Sequence, residues 1–124
     1  LLRYFTPKSF IEKNLKEVYY NDRLIRQEVI DRYHSLTLFT GNRQAFIDRA
    51  HIEREDYTDR LGLIQNQTLI LWGEDDAWIP VTDAEKFNTA LQNSRVEIMP
   101  KTGHVPMEER PEKSLGIVMD FILN

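Results

Sequence analysis

Cysteine is missing from this 124-residue chain, which removes disulfides, thiolate metal sites and a cysteine nucleophile together. Positive charge is in short supply as well: 20 acidic side chains outnumber 16 lysines and arginines, and the bases are scattered. No basic face offers itself to nucleic acid or anionic lipid, so no nucleic-acid partner is expected. No apolar run approaches the roughly 18 residues of a membrane-spanning helix, and no charged-then-apolar signal segment opens the sequence. A methionine start is lacking too. Leu1 stands in its place, and a processed or truncated product is the expectation. Repeats and low-complexity tracts are absent, and the length suits one modest domain.

What is present divides into two halves with different periodicities. From Leu1 to about Ile52 the apolar spacing is helical, with Ile11, Leu15, Val18 and Tyr19 in one stretch and Ile25, Val29, Ile30, Tyr33 and Leu36 in the next. Thr6 before Pro7 reads as an N-cap and first-turn pair, and "TGN" at Thr40 to Asn42 as a break before a third helix carrying Phe46, Ile47 and Ala50. The aromatic side chains of this half either pack between helices or line an apolar pocket.

After Glu53 the pattern changes. "EDYTDRLGLIQNQ" reads as a short helix and a polar loop, and "TLILW" as a strand covered on both faces. "VTDAEKFNTALQN" reads as a helix capped by Thr82, "RVEIM" as a second strand, and "RPEKSLGIVMDFI" as a closing helix with Pro111 in its first turn. A crossover helix between two short strands makes them parallel. Two such strands cannot form a stable parallel sheet alone, because most of their backbone groups and apolar faces would lack partners.

Ligands and catalytic groups gather beyond the carboxyl ends of strands in open parallel sheets. Asp76 follows Trp72 by four residues and His104 follows Met99 by five. On neighbouring strands, about 4.8 Å apart, a carboxylate and an imidazole then come within reach of each other. A carboxylate that holds one ring nitrogen of a histidine fixes its tautomer while the other nitrogen moves protons. The same residues in a solvated turn and a solvated loop would do nothing of the kind. An acidic pair holding Mg²⁺, as in receiver-like domains, is a further reading, but it has no use for the histidine and needs an acceptor aspartate on another strand.

The wording of the two loops goes further. "LILWGEDDAWIP" followed by "PKTGHVPMEERP" resembles the carboxyl-terminal part of the α/β-hydrolase family. Gly73, Asp76 and Pro80 match that family's Gly-x-x-Asp-x-x-x-Pro, and Gly103, His104, Pro106, Glu109 and Pro111 match its Gly-His-x-Pro-x-x-Glu-x-Pro. The resemblance implies an incomplete α/β-hydrolase fold of the α/β class, with residues 1–55 as a helical lid and 56–124 as the closing strand-helix-strand-helix part of the core. It makes Asp76 and His104 the catalytic acid and histidine, with Asp75 as the substitute acid and Glu74 a solvated neighbour. His34 and His51 become lid residues without catalytic duty.

No metal and no cofactor is implied. Ser9, Ser35, Ser94 and Ser114 all lack the flanking glycines of a nucleophile elbow, so the nucleophile is expected upstream and the chain alone should not turn over substrate. The implied parent is an esterase- or lipase-like hydrolase acting on a small apolar ester. A C–C bond hydrolase, haloalkane dehalogenase or epoxide hydrolase of the same fold, or a binding module with a degenerate triad, remain alternatives. If the chain folds by itself, its orphaned strands should drive self-association.

Overall fold

A computed structural model describes residues 6–124; the first five positions of the expected helical segment, Leu1 among them, lie outside the described residues. Three helices make up the first half: α1 (Lys8–Val18), α2 (Gln27–Leu38) and α3 (Asn42–His51), with a 3₁₀ turn at Asp22–Leu24 between the first two. On α1 the side chains of Ile11, Leu15 and Val18 recur at helical spacing and are all buried. They meet Tyr19 and Ile30, and Ile25, Val29, Tyr33 and Val105 pack around that cluster. Burial of each large side chain contributes about 1.5–3 kcal/mol, so this cluster holds α1 to α2. Val105 matters for function because it comes from the far end of the sequence and follows His104 directly.

Gly41 ends the α2–α3 connection with φ 89°, the left-handed backbone that the "TGN" break needs. The α3 helix forms as its spacing predicts, yet it buries none of its residues, and Phe46 is 70% exposed. Two expected caps are displaced. The α1 helix begins at Lys8 with Pro7 in the cap position and no side-chain cap, because Thr6 is buried and its carbonyl is held by His34 Nε2 at 3.0 Å. The fourth helix likewise has Val81, not Thr82, in the cap position. There the carbonyls of Pro80 and Val81 already accept the N–H groups of Asp83 and Ala84, leaving a threonine cap nothing to satisfy.

The second half runs through a 3₁₀ helix at Thr58–Leu63, then β1 (Thr68–Gly73), α4 (Thr82–Ala90), β2 (Ser94–Met99), a single-turn α5 (Pro106–Glu109) and α6 (Pro111–Leu123). The strands are parallel, in register from Thr68 opposite Ser94 to Gly73 opposite Met99. Ile70 on β1, Met99 on β2 and Ala84 on α4 are buried apolar side chains of this half. Coverage of the sheet is incomplete. Among the described residues it has two strands, and "TLILW", expected to be covered on both faces, is buried only at Ile70. Leu63, Ile122 and Leu123 stay 65–77% exposed.

The strand ends come close enough for backbone to touch backbone. A Cβ on Gly73 would lie 2.0 Å from the Gly103 carbonyl oxygen, and one on Gly103 would lie 2.3 Å from the Val18 carbonyl oxygen. Neither oxygen can swing aside as a side chain would. Gly73→Ala and Gly103→Ala should therefore lower the melting temperature sharply or prevent folding. Gly116→Ala, on an exposed stretch of α6 with nothing within 4 Å of the added carbon, should instead stabilise by about 0.5–1 kcal/mol. Thermal denaturation of the three variants separates the two expectations, and a Gly73 variant as stable as the parent would contradict the contact.

Candidate active site

The loops that leave β1 and β2 are knitted together before either reaches its functional side chain. The Glu74 N–H donates to the Met99 carbonyl at 2.9 Å and the Asp75 N–H to the Thr102 carbonyl at 3.0 Å. This pairing leaves the Glu74 and Asp75 side chains exposed and turns Asp76 inward, where its side chain is only 5% exposed. One Asp76 oxygen, Oδ1, accepts the N–H groups of Trp78 and Ile79, each at 2.9 Å. The other, Oδ2, lies 2.8 Å from Nδ1 of His104. Burial pushes the Asp76 carboxyl up, but the Ile79 N–H, His104 and the Trp78 N–H together outweigh it and hold the group below its ordinary value of 3.8. Asp76 is thus kept as an anion with every acceptor direction defined.

His104 is anchored at its backbone as well as its ring. Its N–H donates to the carbonyl of Val18, the last residue of α1, at 2.8 Å. The indole of Trp78 lies against the imidazole, ring centroids 5.3 Å apart. With Nδ1 facing Asp76, Nε2 is the nitrogen left to exchange protons with a reacting group. Both residues singled out in the sequence are therefore in direct contact. His34 and His51 are elsewhere, bonded to the carbonyls of Thr6 and Ile47.

A pair of neighbouring glutamates on α5 ties this histidine loop to the first two helices. Glu109 is 6% exposed. Its Oε1 accepts the Gly103 N–H at 2.6 Å, while Oε2 accepts the Tyr20 N–H at 3.0 Å and, at 3.4 Å, that of Asn21. Glu108 accepts from Arg32 at 2.6 Å and from the Tyr33 hydroxyl at 2.9 Å, and also from the Tyr19 hydroxyl. Burial, helped by the bond to Glu108, pushes the Tyr33 phenol up to about 12. The family-like frame marks Glu109 without saying what it touches, and Glu108 lies outside that frame altogether. The available signal was Pro106 followed by two acids, a helix start with negative charge in its first turn.

A cavity of about 670 Å³ opens between α1, α2, α3 and the histidine loop. Phe10, Leu15, Leu36 and Ile47 give it apolar walls, and Trp78 and His104 reach it from the strand ends. Asn14 and Asn42 also line it, but their amide groups donate to the carbonyls of Phe10 and Leu36. Among the described residues Arg43 is the one permanently charged side chain of the lining. No group of three or more histidine or acidic side chains among the described residues is arranged to hold a metal ion. Ser35, Ser94 and Ser114 direct their hydroxyls to Asp31, Asn88 and Pro111, and none of the three meets His104. The arrangement can hold and relay a proton beside an apolar ligand.

No family model matches the chain. Individual proteins do. It is 26% identical to an uncharacterized hydrolase, YugF, of Bacillus subtilis, over 98% of this chain and 45% of that protein. It is 34% identical to a 2-hydroxy-6-oxononadienedioate/2-hydroxy-6-oxononatrienedioate hydrolase of Paraburkholderia xenovorans, over 54% of this chain and 23% of that protein. A thermophilic esterase from Thermogutta terrifontis superposes with a TM-score of 0.77 at 26% identity, covering 98% of this chain and 45% of the esterase. The chain therefore spans less than half the length of these relatives. Sequence and fold point the same way: the chain takes an α/β-hydrolase fold over the part of these relatives that it spans, and it is similar in sequence to members of that family.

Proposed function

We propose that this chain carries the acid and the histidine of a nucleophile–histidine–acid triad in an esterase- or lipase-like hydrolase, with the nucleophile supplied from outside it. The observation that carries this reading is the 2.8 Å contact between Asp76 Oδ2 and His104 Nδ1 in the wall of an apolar cavity. Asp76 holds the imidazole in the Nδ1–H tautomer and remains ionised. His104 Nε2 takes the proton of the nucleophile as it attacks the ester carbonyl, then returns it to the departing alcohol. In the second half-reaction the same nitrogen takes a proton from water as it attacks the acyl-enzyme, then returns it to the nucleophile as the acyl bond breaks and the acid leaves. The apolar walls favour a small ester with an apolar acyl group. Residues 1–55 act as the lid and 56–124 as the end of the core.

A second reading is favoured by the name of the Paraburkholderia relative. The same acid and histidine would serve hydrolysis of a carbon–carbon bond in a dienoate. The two readings part on substrate, since p-nitrophenyl esters test the first and a meta-cleavage product the second.

In the complete enzyme, His104→Ala should lower kcat/KM toward p-nitrophenyl butyrate by about 10³-fold or more, and Asp76→Asn by roughly 10²–10⁴-fold. Activity near the parent rate in the histidine variant would overturn the assignment.

Asp76 also makes stability depend on pH. Its carboxyl titrates lower in the folded state than the ordinary 3.8, so its contribution is full above that value and is lost as pH falls through the folded value. The stability gap between the parent and Asp76→Asn should accordingly hold above roughly pH 5 and shrink as pH falls below the ordinary carboxyl value. Urea denaturation at a series of pH values measures it, and a constant gap would contradict the depressed carboxyl.

By itself the 124-residue chain should self-associate, because Ile98 and the outer residues of α6 stay exposed beside a two-stranded sheet. Light scattering that returns a monodisperse monomer would rule this out.

A further inference from the structure

Glu109 is a charged side chain with 6% exposure, and the hydrolytic reading gives it no task. Desolvation of a carboxylate is costly unless its oxygens are met by donors. Here they are met on both sides, by donors from two distant parts of the chain. Oε1 takes the Gly103 N–H at 2.6 Å, and Oε2 takes the Tyr20 N–H at 3.0 Å. Gly103 precedes His104, and Tyr20 lies just beyond the end of α1. The His104 N–H completes the link by donating to Val18 at 2.8 Å.

The donor at each end is backbone, so its position is set by the chain path and not by a rotamer. Gly103 has no room to drift, since a Cβ there would already lie 2.9 Å from Glu109 Oε1. Held at both ends, the segment from Gly103 to Val105 cannot rotate to carry the imidazole away from Asp76. Val105 adds an apolar anchor by packing on the α1–α2 core.

We infer that Glu109 is a positioning residue: its carboxylate clamps the Gly103 amide to the Tyr20 amide and so keeps His104 Nδ1 on Asp76 and His104 in the cavity wall. This rests on the reading of Asp76 and His104 as a working pair, and the clamp can fail without that pair failing. Glutamine cannot replace it. An amide offers one oxygen and one NH₂, so one of the two backbone donors would face another donor.

The test is NMR on the complete enzyme that carries this chain, with His34 and His51 as internal references. In the parent, ¹⁵N shifts should report His104 as the Nδ1–H tautomer, and amide exchange should show Tyr20, Gly103 and His104 opening with one common protection factor. In Glu109→Gln the Gly103 and His104 amides should exchange about 10-fold faster or more, and the Nδ1–H preference of His104 should be lost. The amides of β1 and β2 and the two reference histidines should not change. If the variant folds and its His104 tautomer and Gly103 exchange match the parent, the clamp is wrong. Should the variant not fold, the parent alone decides: independent opening of Tyr20 and Gly103 overturns the proposal. Asp76→Asn distinguishes failure of the underlying pair, since there His104 should move to the Nε2–H tautomer. An unchanged tautomer in that variant would mean that Asp76 does not orient the ring, whatever Glu109 does.

Discussion

Where β1 and β2 end, two loops meet at a separation that allows only backbone. Gly73 lacks the carbon that would collide with the Gly103 carbonyl of the other loop, Gly103 lacks the one that would collide with the Val18 carbonyl at the end of α1, and the hydrogen bonds from Glu74 and Asp75 to the opposite loop close the gap. Everything at the site is measured from this contact. It sets the height at which Asp76 leaves the first loop and His104 leaves the second, so that a carboxylate and an imidazole 28 positions apart in sequence meet at 2.8 Å. A loop pair held only by side chains could not reproduce this, because side chains shift by rotamer hops and a backbone carbonyl does not.

Three carboxylates then fix the histidine loop, Asp76 within the second half and Glu108 and Glu109 across to the first, and each is stabilised differently. Asp76 has two backbone donors and the histidine. Glu109 has backbone donors alone, from chain segments that are far apart in sequence. Glu108, more exposed, gathers a guanidinium and two phenols from the α1–α2 region. The two nearly buried carboxylates take most of their donors from fixed backbone, whereas the more exposed Glu108 takes all of its donors from mobile side chains. A buried anion with rigid donors has one low-energy geometry, and it is the geometry around His104 that such donors define.

Much of this was legible in the sequence, because helix periodicity, strand composition and the glycine and proline frame around each loop are local signals. Ile11, Leu15 and Val18 announce the buried face of α1, and the Gly73 and Pro80 frame selects Asp76 from three adjacent acids. The caps at Thr6 and Thr82 were misplaced for a reason equally local in appearance but tertiary in origin: the relevant amides or carbonyls already had partners that only the folded chain reveals. The roles of Glu108 and Glu109 were hidden for the same cause. Apart from Gly103, their donors lie 75–89 residues away, and no periodicity carries information across such a span. Exposed Phe46 shows the limit from the other side, since an apolar face at helical spacing need not be covered by the chain that bears it.

The distribution of buried and exposed apolar surface separates what the chain can do from what it needs. The cavity is walled by α1, α2 and α3 together with Trp78, His104 and Val105, so the surfaces that would grip an apolar group and the ring that would move a proton belong to one connected body. The sheet is the opposite case: its two strands are covered by α4 on one side, while Ile98 and the outward side chains of α6 face solvent. An edge strand with apolar neighbours exposed is a template for further strands, and strands added beside β1 or β2 would extend the same carboxyl-terminal edge from which Asp76 and His104 project. In the proposed reading a nucleophile on such a strand would reach that same edge, and the Glu109 clamp would keep the imidazole in place beside the cavity that the helices wall.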